Sequence, residues 1–293
     1  KLFANYGTRL IKLIPILIDR SRKMISRFLM CPPDYFGVNY SINPWMVGNL
    51  GRVDIEKANK QWQKLLESLS KYAEIELLSP QPHLPDMVFT ANAGLVRENA
   101  FIPSHFQHSE RRPEEPHFKN WFLEKGYQIN DLTSPVYFEG EGDALIHSEN
   151  NQLWIGYGFR TDPQSSDRIQ KLFPIRIVLL HLVDPRFYHL DTCFCLLPGG
   201  KVMYYPKAFS RDSLQSIEKY FSAQNRIEID EEDAIHFSCN AIVVQNNLIL
   251  NHASTGLMSK LQSLGFRVVL NPVSEFLKAG GGNKCLALSL SSN

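Results

Sequence analysis

Five short segments of this chain carry side chains capable of covalent chemistry, and none lies near another in sequence. PDMVFTAN holds Asp86 and Asn92, FEGEGD holds Glu139, Glu141 and Asp143, and VDPRFYHLD holds Asp184, His189 and Asp191. HFSCN holds His236, Cys239 and Asn240, and KAGGGNKC holds Lys284 and Cys285. Cys285 follows Gly280, Gly281 and Gly282, and such a run lets backbone amides approach a ligand or adopt positive φ. A cysteine beside backbone donors favours the thiolate, which is the nucleophilic form. His189 stands two residues before Asp191; in a strand both would face one side, and a histidine beside a carboxylate suits proton transfer near neutral pH. Glu139 and Asp143 flank two glycines, where carboxylates could clamp a cation through charge-assisted hydrogen bonds. Arg111 in HSERRPEEP and Arg160 in GYGFRTD carry the planar fork that captures a carboxylate. Taken singly, each has a plainer reading: a small residue opening a buried strand for Cys285, a hydrogen-bonded core histidine for His189, a solvated turn for the acids, and a surface position for either arginine.

What joins these segments is their phase in a repeat. Four stretches read as strand–turn–strand hairpins: Ala93–Pro103, Asp143–Tyr157, Thr192–Pro206 and Asn240–Asn251, starting about every fifty residues. Each has β-prone flanks around a polar turn, at Glu98-Asn99, Glu149-Asn150, Gly199-Gly200 and Asn246-Asn247. A helical pattern follows each: Phe118, Trp121, Phe122 and Leu123; Ile169, Leu172 and Phe173; Leu214, Ile217, Tyr220 and Phe221; Leu257, Leu261 and Leu264. A short extended piece comes next, such as Ile175–Leu180 or Phe266–Leu270. The two ends supply a fifth unit: Cys285–Leu290 pairs with Arg27–Cys31, and the helix Asp54–Tyr72 completes it with Ala58, Trp62, Leu65, Leu66 and Leu69 on one stripe. Radial repetition of this kind protects strand edges. Each reactive segment sits just before a hairpin, so the five should converge near one axis.

Composition bounds the alternatives. The chain has 293 residues, 44% hydrophobic and 21% charged, an ordinary globular balance long enough to bury a full core. A net charge of +1 gives no basic field for nucleic acid. The run Leu10–Ile18 is interrupted by Lys12 and Pro15 and is too short to span a membrane. Residues 1–23 are basic and read as an extension outside the core, a signal or transit peptide being the other reading, which leaves 24–293 as one catalytic domain. The odd set Cys31, Cys193, Cys195, Cys239 and Cys285 argues against a secreted disulfide scaffold and for a reducing cytoplasmic setting. There is no Cys-x-x-Cys pair, and His105 and His108 lack a carboxylate at ligand-like spacing, so no metal is expected. Neither a dinucleotide fingerprint nor a nucleophile elbow is present. Oligomeric state is not legible, and a homo-oligomer is compatible with the sequence. Cys31–Trp45, with Pro32, Pro33 and Gly37, is a candidate covering loop.

FEGEGD, FYHLD and GGGNKC resemble the guanidino-group-modifying enzymes of the pentein fold, an α/β propeller of five ββαβ units, over nearly the whole chain from about Arg27. CPPDYFGVNYSINPWM, PDMVFTANAGLV, DPRFYHLDTCFC and EFLKAGGGNKC are most similar to the arginine dihydrolase branch, beside the dimethylargininases. The resemblance implies a Cys285 nucleophile, a His189 general acid–base with Asp191 beside it, and a Glu139 carboxylate that binds guanidinium and orients the histidine. It implies substrate contacts from Asp86, Arg111, Arg160 and Asn43. Asn92 stands where deiminases carry an aspartate, and a neutral amide can also bond a ureido group, so citrulline could stay for a second attack. The implied reaction takes arginine to ornithine, ammonia and carbon dioxide without a cofactor, with a small molecule as the partner. Rival readings are a deiminase or dimethylargininase giving citrulline, an amidinotransferase, or a non-catalytic binding factor of the same fold.

Overall fold

The computed structural model describes residues 25–132 and 136–290; the stretch 1–23 read as an extension lies outside them. Within those bounds the hairpin signals become five small, open, three-stranded sheets. Gly94–Arg97 pairs antiparallel with Ala100–Pro103, which pairs parallel with Gln128–Ile129. Ala144–His147, Gln152–Tyr157 and Arg176–His181 repeat that order. So do Phe194–Leu197, Lys201–Tyr204 and Arg226–Glu228, and again Ile242–Val244, Asn247–Leu250 and Arg267–Leu270. The fifth sheet joins the two ends: Leu288–Ser289 lies antiparallel to Arg27–Met30, with Leu29 opposite Leu288, and Glu74–Leu77 adds the parallel edge. This is the ββαβ order of the pentein fold.

In each unit a helix makes the crossover that a parallel pair requires. Helix Ile55–Leu69 starts at Asp54, whose side chain accepts from the Lys57 amide at 3.0 Å, and buries Ala58, Trp62, Leu65 and Leu69. Helices Arg211–Tyr220 and Thr255–Ser263 are capped in the same way by Ser210 and Ser254. Helices Glu115–Glu124 and Ser165–Leu172 bury Phe118, Trp121, Phe122 and Ile169, but Leu123 and Leu172 are exposed. Leu123 follows two buried neighbours and turns off the stripe, and Leu172 is the helix's last residue. The apolar core fills the space between sheets and helices, with Trp154, Phe187, Phe194, Tyr204 and Phe237 in the largest cluster.

Three local expectations need correction. The last hairpin turns one residue early: Val244 pairs with Asn247, and Gln245 takes the positive φ of 55°. Cys285 is not in a strand but in the single helical turn Lys284–Leu286, two residues before the strand begins. His189 and Asp191 do not share a strand face either, because Leu190–Thr192 is another such turn. Equivalent turns, Thr90–Ala93 and Gly140–Asp143, precede two more first strands. These turns deliver the reactive side chains to the axis.

Candidate active site

The turns and the loop after Cys31 enclose a small pocket lined by Ile42, Asn43, Met46, Asp86, Phe89, Asn92, Arg111, Arg160, Tyr188, Ala279, Gly281 and Cys285. Its polar members are almost wholly buried, so their interactions act in a low-dielectric setting. Cys285 is held from one side by Asn240, which donates from Nδ2 to Sγ at 3.1 Å and accepts the Cys285 amide at 3.2 Å. From the other side the thiol donates to Asp191 Oδ2 at 3.4 Å. The glycine run is needed for close packing: a Cβ on Gly282 would lie 2.7 Å from Asn240 Oδ1, and Gly280 has a φ of +84°. Burial, then Asp191, pushes the Cys285 thiol well above its ordinary value, which favours the neutral thiol over the thiolate.

His189 and Glu139 form the second group. His189 Nε2 and Glu139 Oε2 are 2.7 Å apart, and Arg160 Nη1 donates to the same oxygen at 3.0 Å. Glu139 Oε1 accepts the Gln107 amide at 3.2 Å. Burial opposes ionisation of Glu139, but Arg160 and the histidine bond hold its carboxyl below the usual range. An ionised Glu139 accepts Nε2–H, which leaves the free lone pair on Nδ1. Burial lowers His189 to about 4 against the pull of Glu139, so the imidazole is neutral near pH 7 and available as a base. Arg160 is fixed further by the Ile42 carbonyl at 2.9 Å and by the Tyr188 ring, 4.5 Å away.

The third group surrounds Asn92. Arg111 grips Glu114 with Nε and Nη2, both at 2.9 Å, and donates from Nη1 to Asn92 Oδ1 at 2.9 Å. Asn92 Nδ2 is buried without a partner. Asp86 accepts from the Tyr40 hydroxyl at 2.8 Å through Oδ2, while Oδ1 has no partner. Burial raises Asp86 despite Arg111 and Tyr40. An unpaired donor and an unpaired acceptor in one pocket are costly unless a polar ligand answers both.

Not every expected contact faces the pocket. Asp143 spends both oxygens on the scaffold, accepting Thr161 Oγ1 at 2.7 Å and the Leu190 amide at 3.0 Å, so it braces the His189 turn rather than a ligand. Asn43 lines the pocket, but its Oδ1 accepts the Trp45 and Met46 amides and its Nδ2 donates to the Ala279 carbonyl at 3.0 Å. It pins the covering loop, with help from Trp45 Nε1 on the Arg186 carbonyl at 2.7 Å. Asp191 lies beneath Cys285 and lines a different cavity. Sequence reasoning missed Tyr188, Glu114 and Thr161. It named Asn240 in the right repeat phase, which was the signal for its contact with Cys285. Among the described residues no group of three or more His, Cys, Asp or Glu could hold a metal ion, and no helix is long and apolar enough to cross a membrane.

A family model described as N,N dimethylarginine dimethylhydrolase, eukaryotic, matches residues 33–291. The chain is 48% identical over 262 residues to the bifunctional arginine dihydrolase/ornithine cyclodeaminase AgrE of Nostoc sp., covering 89% of this chain and 37% of that protein. It thus spans little more than a third of that relative's length. It is 36% identical to an N(G),N(G)-dimethylarginine dimethylaminohydrolase of Mycobacterium tuberculosis, covering 90% and 85%. In three dimensions it matches the N-terminal domain of ArgZ, a cyanobacterial arginine dihydrolase solved as a Cys→Ser mutant with substrate bound. The TM-score is 0.90 at 47% identity, covering 91% of this chain and 98% of that one. The same domain with an Asn→Ser change, covalently bonded to a reaction intermediate, matches at 0.89 and 47%, covering 90% and 97%.

Proposed function

The chain belongs to the dimethylarginine dimethylhydrolase family, and from that membership and the pocket we propose that it is an arginine dihydrolase, hydrolysing arginine to ornithine, two ammonia and carbon dioxide. The observation that carries this reading is that Cys285 and an amide, Asn92, line one pocket whose Arg160 wall is bonded to the Glu139 of the His189–Glu139 pair, with Asn92 Nδ2 and the His189 ring both packed against Gly142. The covalent intermediate on the ArgZ domain supports a nucleophilic route.

Arginine brings a cation into a pocket that holds a neutral thiol and a neutral imidazole. The incoming charge favours the thiolate, and the thiol proton passes to His189 Nδ1. The Cys285 thiolate adds to the guanidinium carbon. His189 returns its proton to the departing ammonia, leaving a thiouronium. Water, deprotonated by the same nitrogen, then displaces Cys285 and gives the ureido group. A second round on that carbon releases ammonia again, and the carbon leaves as carbon dioxide. Glu139, ionised throughout, holds His189 in one tautomer and offsets the positive charge of the substrate. Arg160, tied to Glu139 and stacked on Tyr188, and Arg111 provide the positive side of the pocket for the α-carboxylate, while Asp86 Oδ1 is a free acceptor for ammonium or guanidinium donors. No step requires a cofactor.

The decisive experiment is the product ratio. Incubation with arginine should yield ornithine and about two ammonia for each arginine consumed; stoichiometric citrulline would overturn the dihydrolase reading in favour of a deiminase. The family match keeps one alternative alive, hydrolysis of methylated arginines, and release of methylamine or dimethylamine from such substrates would support it. A guanidino product formed on adding glycine would instead indicate an amidinotransferase.

A further inference from the structure

The axis of the fold carries a second and larger cavity, of about 430 Å³, on the strand side of Cys285. Each of the five sheets contributes to its wall from its first strand, through Ser289, Val96, Ile146, Leu196 and Val243. The wall is mainly apolar, but the floor is charged. There Lys284 Nζ meets Glu141 Oε2 at 2.6 Å, and Asp191 stands beside them. Asp191 stands between the two cavities: it lines the larger one, its Oδ2 is 3.4 Å from the Sγ of Cys285, which lines the smaller, and its Oδ1, on a residue 1% exposed, has no partner. A buried acceptor of this kind calls for a small donor, either water or ammonia.

The substrate pocket, by contrast, is tightly covered. Asn43 bonds the Ala279 carbonyl, Trp45 bonds the Arg186 carbonyl, and Arg160 bonds the Ile42 carbonyl. The two-round reaction proposed above needs water to enter and ammonia to leave while the ureido intermediate stays in place. Opening the cover for that exchange would also free the intermediate.

We propose that the axial cavity is a port for water and ammonia, reaching the back of Cys285 past Asp191 while the covering loop keeps the ureido intermediate bound. The proposal rests on the dihydrolase reading. Asp191 Oδ1 is the acceptor at which either molecule halts, and the Lys284–Glu141 pair fixes the floor around it. The apolar wall lets neutral ammonia pass without capture.

The test narrows the cavity away from the thiol. Val243→Trp and Leu196→Trp, singly and together, add bulk to strands that accept aromatic residues. Val243→Leu with Leu196→Met, of near-native volume, controls for strand damage. Ornithine, citrulline and ammonia are followed with arginine as substrate, together with thermal unfolding. In the double Trp variant, folded as judged by its melt, ornithine formation should fall at least about tenfold, citrulline should appear free in solution, and KM should hold. A folded double variant, or either folded single variant if the double does not fold, that forms ornithine at the parental rate without citrulline overturns the port alone. Citrulline as the sole product of the unmodified chain overturns the dihydrolase reading, and the port with it.

Discussion

Arg111 Nη1 donates to the amide oxygen of Asn92 at 2.9 Å, and this bond decides which end of the asparagine faces the substrate pocket. With Oδ1 occupied, the unpartnered Nδ2 points the other way as a buried donor. A guanidinium offers only donors and gains nothing from it, whereas a ureido carbonyl accepts from it. On the proposed dihydrolase reading, Asn92 would therefore discriminate in favour of the ureido intermediate over arginine.

That orientation predicts the outcome of Asn92→Asp. The new carboxylate would take the Arg111 bond with one oxygen and present the other to the pocket, where it attracts guanidinium and repels the ureido oxygen. Arginine consumption should persist, and the citrulline-to-ornithine ratio should rise by about tenfold or more, a change worth about 1.4 kcal/mol in the partition. Chromatographic product counts would check it, and an unchanged ornithine yield would count against the role given to Asn92.

The repeat was legible because hairpins announce themselves through turn residues and alternation, and the phase of the reactive segments followed from it. The link between chain ends, Leu29 opposite Leu288, was readable for the same reason. What the sequence hid is the single helical turn before several first strands, too short to leave a periodic signal. Hence the residue pattern alone places Cys285 and His189 in strands. Asp143 looked like a cation clamp because it is acidic and beside glycine; only the fold reveals the Thr161 hydroxyl and Leu190 amide that occupy it. Glu114, in RRPEEP, has no local mark distinguishing it from Glu115, yet it alone is wholly buried on Arg111.

Glu114 should therefore matter to product ratio although it does not line the pocket. Burial, only partly offset by Arg111, raises its carboxyl to about 7. Glu114→Gln removes one of the two acceptors for the Arg111 fork and loosens the guanidinium that holds Asn92. Citrulline should appear alongside ornithine while Cys285 stays reactive to a thiol reagent. Ornithine as the sole product at the parental rate would show that Arg111 is held adequately without the carboxylate.

The protonated resting thiol is open to direct measurement. A thiolate absorbs near 240 nm, and the difference spectrum between the parent and Cys285→Ala should show none at pH 7 to 8, because burial and Asp191 raise the thiol well above its ordinary range. Turnover should nonetheless fall by roughly 10³-fold or more in Cys285→Ser. Thiolate absorbance in the free enzyme would refute activation by substrate charge; full turnover in the serine variant would refute the nucleophile assignment.

Asp143→Ala separates scaffold from contact. Removing the carboxylate strands the buried Leu190 amide and the Thr161 hydroxyl, a loss of about 2–4 kcal/mol, visible in urea unfolding. Where the variant is folded, KM for arginine should stay near the parental value. A large rise in KM with kcat preserved would restore Asp143 as a substrate contact.

Asp191 gives a pH signature of defined sign. Burial, opposed by Lys284 and the Cys285 and Asn240 bonds, raises its carboxyl from 3.8 to about 7. Between those values the folded state retains a proton that the unfolded chain has released, so the folded state binds more protons and stability falls as pH rises. The contribution of the protonated acid is full below the ordinary carboxylate value and is lost as pH climbs through 7. Asp191→Asn has nothing to ionise at this position and should lack that slope, although other groups tilt both curves equally. The melting-temperature advantage of the parent over Asp191→Asn should therefore shrink steadily from pH 4 to pH 8, and turn negative if the ionised carboxylate is worse than the amide. A gap that stays constant or widens over that range would show that Asp191 is already ionised beneath Cys285 in the acidic half of the range.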